Sequence, residues 1–137
     1  ADAVAAAENP LILTGHNLNT AASFAALSAL AETHALPVGQ VAGGALPSSH
    51  PMNMGMAPRS LLQAADLILV FDAPVPWIPS KVKLNPDATV ISIGPDPSYQ
   101  RYPFRGIQTD MTMFGKRSAR SAINALFRMR AAPFETL

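Results

Sequence analysis

Three histidines and three aspartates stand where side chains could do chemistry. His16, His34 and His50 are far apart, and no His-x-x-x-His or Glu-x-x-His spacing occurs. A metal site of the zinc type is therefore not expected. His16 follows an apolar run and could touch a ligand from its loop; a plain polar loop residue is the simpler role. His34 falls at the end of an expected helix, where a histidine meets the helix dipole favourably. Asp72, Asp96 and Asp110 each lie at or just beyond the end of an apolar run. Carboxylates there could orient a ribose or a catalytic group, and could equally cap loops.

The common phosphate and nucleophile signatures are missing. After Leu11-Ile12-Leu13-Thr14 the chain reads Gly15-His16-Asn17-Leu18-Asn19-Thr20, with one glycine instead of G-x-G-x-x-G. That disfavours dinucleotide binding of the orthodox kind. Gly115-Lys116-Arg117 lacks the hydroxyl residue of a P-loop, and no G-x-S-x-G occurs. Lys116, Arg117, Arg120, Arg128 and Arg130 crowd the last expected helix. No aromatic residues interleave them, so a solvated outer face fits better than a nucleic-acid patch.

The elements that must position these residues are strands closed on both faces. Leu67 to Phe71 is five apolar residues between Asp66 and Asp72, short for a helix and right for a strand covered on both sides. Leu11–Thr14 and Thr89–Gly94 have the same character, and Pro37–Val41 is a short second strand. Gly106–Asp110 reads as an edge strand, followed by a helix from Thr112 to about Arg130. Between the strands, Ala1–Glu8 reads as a helix end. A helix capped by Asn17, Asn19 or Thr20 runs to His34, with Phe24, Leu27, Leu30 and Ala31 as its buried stripe. Pro58 opens a short helix to Ala65. Met52, Met54 and Met56 alternate with Asn53 and Gly55, which predicts extended chain. Strands alternating with helices give a three-layer αβα, Rossmann-like parallel sheet of five to six strands with right-handed crossovers.

Composition agrees with one compact unit. The 137 residues are 49% apolar and 14% charged, enough for one core and unlike a disordered chain. Cysteine is absent, so neither a disulfide framework nor thiolate chemistry is available, and a cytoplasmic location fits best. The start, Ala1-Asp2-Ala3-Val4, does not fit a signal peptide, and no apolar run has the length of a membrane span. A piece of a longer or processed polypeptide is expected. Trp77, between Pro76 and Ile78-Pro79, suits an interface nearly as well as a core. With Ile78 and the three methionines it predicts an apolar surface made to meet other domains.

The order of these pieces resembles the middle domain of thiamine-diphosphate-dependent enzymes. The residues that carry it are Gly15, Gly43-Gly44-Ala45-Leu46-Pro47, His50-Pro51, Gly55-Met56, Ala64 to Val70, Val90 to Pro97, and Asp110. The likeness covers about residues 8 to 127. Pro76-Trp77-Ile78-Pro79 and Ser98 to Pro103 look most like an acetolactate synthase-like branch, close to the benzoylformate decarboxylase family. The resemblance implies a sheet with the topology of deoxyhypusine synthase-like NAD/FAD-binding domains. It implies a three-domain parent whose pyrimidine- and diphosphate-binding domains hold thiamine diphosphate and magnesium, usually in a homo-oligomer. Neither flanking motif is present here, so the resemblance implies a scaffold domain with no catalytic residue of its own.

In some members this domain holds FAD or ADP. Carried over, the cofactor-facing positions are Gly15 and His16 after the first strand, Gly43 and Gly44 after the second, Gly55 and Met56, and Asp96 and Asp110. Two departures remove glycines that let a cofactor approach the backbone. They are Asp72-Ala73-Pro74 after the central strand and Gly55-Met56-Ala57-Pro58 further upstream. The alternative is a stand-alone nucleotide-binding enzyme, sirtuin-like or deoxyhypusine synthase-like, for which His16 is the only candidate catalytic group.

Overall fold

The computed structural model describes residues 2–15, 18, 20–43, 45–56, 59–73, 75–94 and 111–114. Eight elements follow in order: α1 (Asp2–Ala6), β1 (Pro10–Thr14), α2 (Ala21–His34), β2 (Val38–Gln40), α3 (Arg59–Ala64), β3 (Leu67–Phe71), β4 (Thr89–Gly94) and β5 (Met111–Phe114). The strands form one sheet in the order β2-β1-β3-β4-β5. All four pairings are parallel, with Leu13 opposite both Gly39 and Val70, and Val70 opposite Ser92. The doubly wound sheet expected from the strand pattern is thus present.

Side chains two apart on a strand share a face, so each strand feeds two cores. Ile12, Leu67, Leu69, Phe71, Ile91 and Ile93 pack with Val4 of α1 and Leu27, Leu30 and Ala31 of α2. Leu11, Leu13, Ile68, Val70 and Val90 pack on the opposite face with Leu62, Ala65 and Trp77. All five residues of β3 are buried, which is why that run carries no polar residue.

Helix α2 starts at a capping box. The Thr20 hydroxyl accepts from the Ser23 N–H at 3.2 Å, and the Ser23 hydroxyl accepts from the Thr20 N–H at 3.2 Å. It ends at Ala35, which takes a left-handed conformation (φ 50°) and donates to the Ala31 carbonyl. Leu36 closes the turn on the same carbonyl at 3.1 Å. Of the expected buried stripe, Leu27, Leu30 and Ala31 are buried and Phe24 is half-buried.

Two expectations are corrected. Thr112–Phe114 belong to β5, not to a helix starting at Thr112. Backbone pairing of Ser92 with Thr112 and Ile93 with Met113 outweighs the helix propensity of the methionines. The expected strand at 106–110, and the basic residues from Lys116 onward, lie outside the described residues. Trp77 is not a surface residue: it is 8% exposed and belongs to the second core. Pro76 and Pro79 stiffen the loop, but it is the apolar surface over β1 and β3 that takes up the indole. Met52 also packs against the first core, whereas Met56 (84%) and Ile78 (48%) are exposed. No helix among the described residues is long and apolar enough to cross a membrane.

Candidate functional site at the carboxyl ends of the strands

The chain goes from β1 outward to β2, then returns to the far side of β1 as β3. Strand order therefore reverses between β1 and β3. In open parallel sheets the crevice at this reversal is where ligands enter. Gly15 and Asp72 stand there, each one residue past its strand.

Here the two strand ends are joined to each other. The Gly15 N–H donates to the Phe71 carbonyl at 2.8 Å, and the Asp72 N–H to the Ile93 carbonyl at 2.9 Å. Asp72 is buried, 7% exposed, with φ at 48°. That left-handed turn brings its peptide over β1. A Cβ on Gly15 would overlap the Asp72 carbonyl group, and one on Gly94 would meet Asp72 Oδ1 at 3.5 Å. Gly15 is thus a glycine because another strand's backbone lies against it. Both of these amides thus donate to carbonyls, and the Asp72 carboxylate lies beside Gly94.

The region beside β2 is different. Gly43 (φ 75°) and Gly55 (φ 67°) are exposed, and open space surrounds the place a Cβ would take. Both need glycine for conformation and not for close contact. Gly55 lies at the carboxyl end of β2, where its carbonyl accepts from the Gln40 N–H at 2.8 Å. Met56 follows it, almost fully exposed. Of the positions expected to face a cofactor, the structure places Gly15, Gly43, Gly55 and Met56 at the carboxyl ends of β1 and β2. His16, Gly44, Asp96 and Asp110 lie outside the described residues.

Sequence reasoning read residues 52–56 as extended chain and gave His50 and Asn53 no bonding role of their own. The Asn53 side chain donates to the Pro47 carbonyl at 2.9 Å, and its Oδ1 accepts from the Gly55 N–H at 2.8 Å. His50 is buried, and its Nδ1 accepts from the Met52 N–H at 3.1 Å. The ring proton is therefore assigned to Nε2. Nε2 lies 3.2 Å from Glu32 Oε1, but no acceptor is aligned with its N–H. Asn-x-Gly is a turn signal that could have been noticed; the role of His50 had no local signal.

Among the described residues, no three His, Cys, Asp or Glu side chains gather to hold a metal ion. A diphosphate bound through a divalent cation needs such oxygen donors. The described residues do not fit that group.

The thiamine pyrophosphate enzyme central-domain family matches residues 1–125, and the chain belongs to this family. No curated protein sequence matches it. Among solved structures, the fold is similar to that of a protein described as a thiamin diphosphate-dependent enzyme from Mycobacterium smegmatis. There the TM-score is 0.74 at 21% identity, covering 100% of this chain and 28% of that one. A 4-hydroxybenzoylformate decarboxylase from Rhodococcus jostii RHA1 gives 0.66 at 21% identity, covering 95% and 26%. Benzoylformate decarboxylase from Polynucleobacter necessarius gives 0.63 at 23%, covering 89% and 24%. The chain thus spans about a quarter of the length of these solved proteins. The family match and these neighbours give no support to a stand-alone sirtuin-like or deoxyhypusine synthase-like enzyme.

Proposed function

We propose that this chain is the non-catalytic central scaffold domain of a thiamine-diphosphate- and magnesium-dependent enzyme acting on 2-oxo acids. The parent is an acetolactate synthase-like carboligase or decarboxylase, and the nucleotide crevice of this domain is vestigial. One observation supports the reading: at the reversal between β1 and β3 the Asp72 peptide lies against Gly15, and the buried Asp72 carboxylate lies beside Gly94. The substrate class is supported by two structural neighbours named for benzoylformates, which are 2-oxo acids. In this reading thiamine diphosphate and its magnesium belong to the pyrimidine- and diphosphate-binding domains of the same chain. The full-length enzyme is a cytoplasmic homo-oligomer. The positions that would line any remaining FAD or adenine nucleotide are Gly15, His16, Gly43, Gly44, Gly55, Met56, Asp96 and Asp110.

Calorimetric titration of the full-length protein with FAD, ADP and coenzyme A tests the vestigial crevice. No heat is expected with any of the three. Micromolar FAD binding, lost in Gly55→Trp, would overturn the reading. Decarboxylation of a 2-oxo acid by the isolated chain, supplied with thiamine diphosphate and magnesium, would overturn the non-catalytic role.

A further inference from the structure

Strand β2 is the last strand on its side of the sheet, yet its outer edge is covered. Residues 52–55 lie along it in parallel, with Asn53 opposite Val38. The Val38 N–H donates to the Met52 carbonyl and the Met54 N–H to the Val38 carbonyl, both at 2.9 Å. An edge strip made this way would normally present its own unpaired N–H groups to another strand.

Here those donors are consumed inside the loop. The Asn53 N–H donates to the His50 carbonyl at 2.9 Å. The Gly55 N–H donates to Asn53 Oδ1 at 2.8 Å, and the Met52 N–H to His50 Nδ1 at 3.1 Å. Three successive non-β2 donors are thus met by two side chains and one carbonyl of the same loop. The buried imidazole keeps its acceptor nitrogen inward, while Asn53 also ties the strip back to Pro47.

We propose that residues 50–55 form a strap that closes the β2 edge of the sheet against strand addition by a second chain, with His50 and Asn53 as its positioning residues. Any partner meeting this edge must then do so through side chains such as the exposed Met56, and not through backbone pairing. This inference does not depend on what the domain binds.

The test compares Asn53→Ala and His50→Leu with Asn53→Asp and His50→Asn, which retain an acceptor near the lost atom. Sedimentation velocity reads association, and amide hydrogen exchange reads the strip. Both acceptor-less variants are expected to exchange their freed amides, Gly55 or Met52, at least about tenfold faster. They should also associate more than the unaltered chain, with concentration-dependent protection returning at 52–55. The acceptor-retaining variants should keep the Gly55 and Met52 amides as protected as in the unaltered chain and should not associate more, although Asn53→Asp loses the bond to the Pro47 carbonyl. Two results would overturn the strap: association unchanged in Asn53→Ala and His50→Leu, or equal association in the acceptor-retaining pair. Unchanged Trp77 fluorescence separates an opened edge from general unfolding.

Discussion

Two aspartates bracket β3, and they hold the two ends of the sheet in opposite ways. At the amino end, Asp66 works through its carboxylate. Oδ2 accepts from the Glu8 N–H at 2.7 Å and Oδ1 from the Asn9 N–H at 2.9 Å, while its own carbonyl accepts from the Thr89 N–H at 2.8 Å. At the carboxyl end, Asp72 works through its backbone, turned left-handed and pressed onto Gly15. The consequences differ. Around Asp66 the surface stays open. One cleft of about 250 Å³ lies among Glu8, Pro10, Pro37 and Leu61, and another of about 190 Å³ among Ala3, Ala7, Asp66 and Thr89. At the other end, the Asp72 carbonyl occupies the place a Cβ on Gly15 would take. A capping side chain holds its neighbours through hydrogen bonds, whereas a peptide laid across a neighbouring strand leaves no space for a Cβ at the residue beneath it.

The largest effect should come from breaking the closed end. Gly15→Ala forces a Cβ into the Asp72 peptide, which is backbone and cannot swing aside. Urea unfolding should show a loss of about 3 kcal/mol. A loss under about 1 kcal/mol would mean that the β1–β3 junction gives way easily, and a ligand could then part it.

Breaking the open end should cost less. Asp66→Ala removes two charge-assisted bonds to amides at the head of β1, but solvent reaches the site. A loss of about 2 kcal/mol is expected, with faster exchange at Glu8 and Asn9. If the Asp66 variant proved the more damaging of the two, the amino end would be the true keystone.

The smallest effect lies beside the larger cleft. Ala35 lines it and holds a left-handed φ of 50°. Glycine relieves a strain of about 1–2 kcal/mol and loses about 0.4–1 kcal/mol through the unfolded chain. Ala35→Gly should therefore raise stability by roughly 0.5 kcal/mol, seen as a small rise in Tm. A fall would show that the alanine methyl group packs there more usefully than its exposure suggests.

Much of this arrangement was already legible in the residues. The bounds of β3 and β4 follow from Leu67–Phe71 and Thr89–Gly94, because a strand buried on both faces tolerates only apolar and small residues. Helix α2 follows from a capping residue among Asn17, Asn19 and Thr20, its apolar spacing and the break before Pro37, all of them local signals, and the structure selects Thr20. The ordered set of motifs from Gly15 to Asp96 pointed to the family that the match over residues 1–125 shows. Tertiary structure alone decided four things. Trp77 is core because the apolar surface over β1 and β3 is there to receive it. Met111–Phe114 is strand because β4 offers an edge to pair with. His50 is an acceptor because the loop folds back on it. Gly15 faces Asp72, 57 residues away in the chain, because parallel pairing of β1 with β3 brings their ends together. Each depends on contact between segments distant in sequence, and neither propensity nor periodicity encodes which backbone will lie against a given residue.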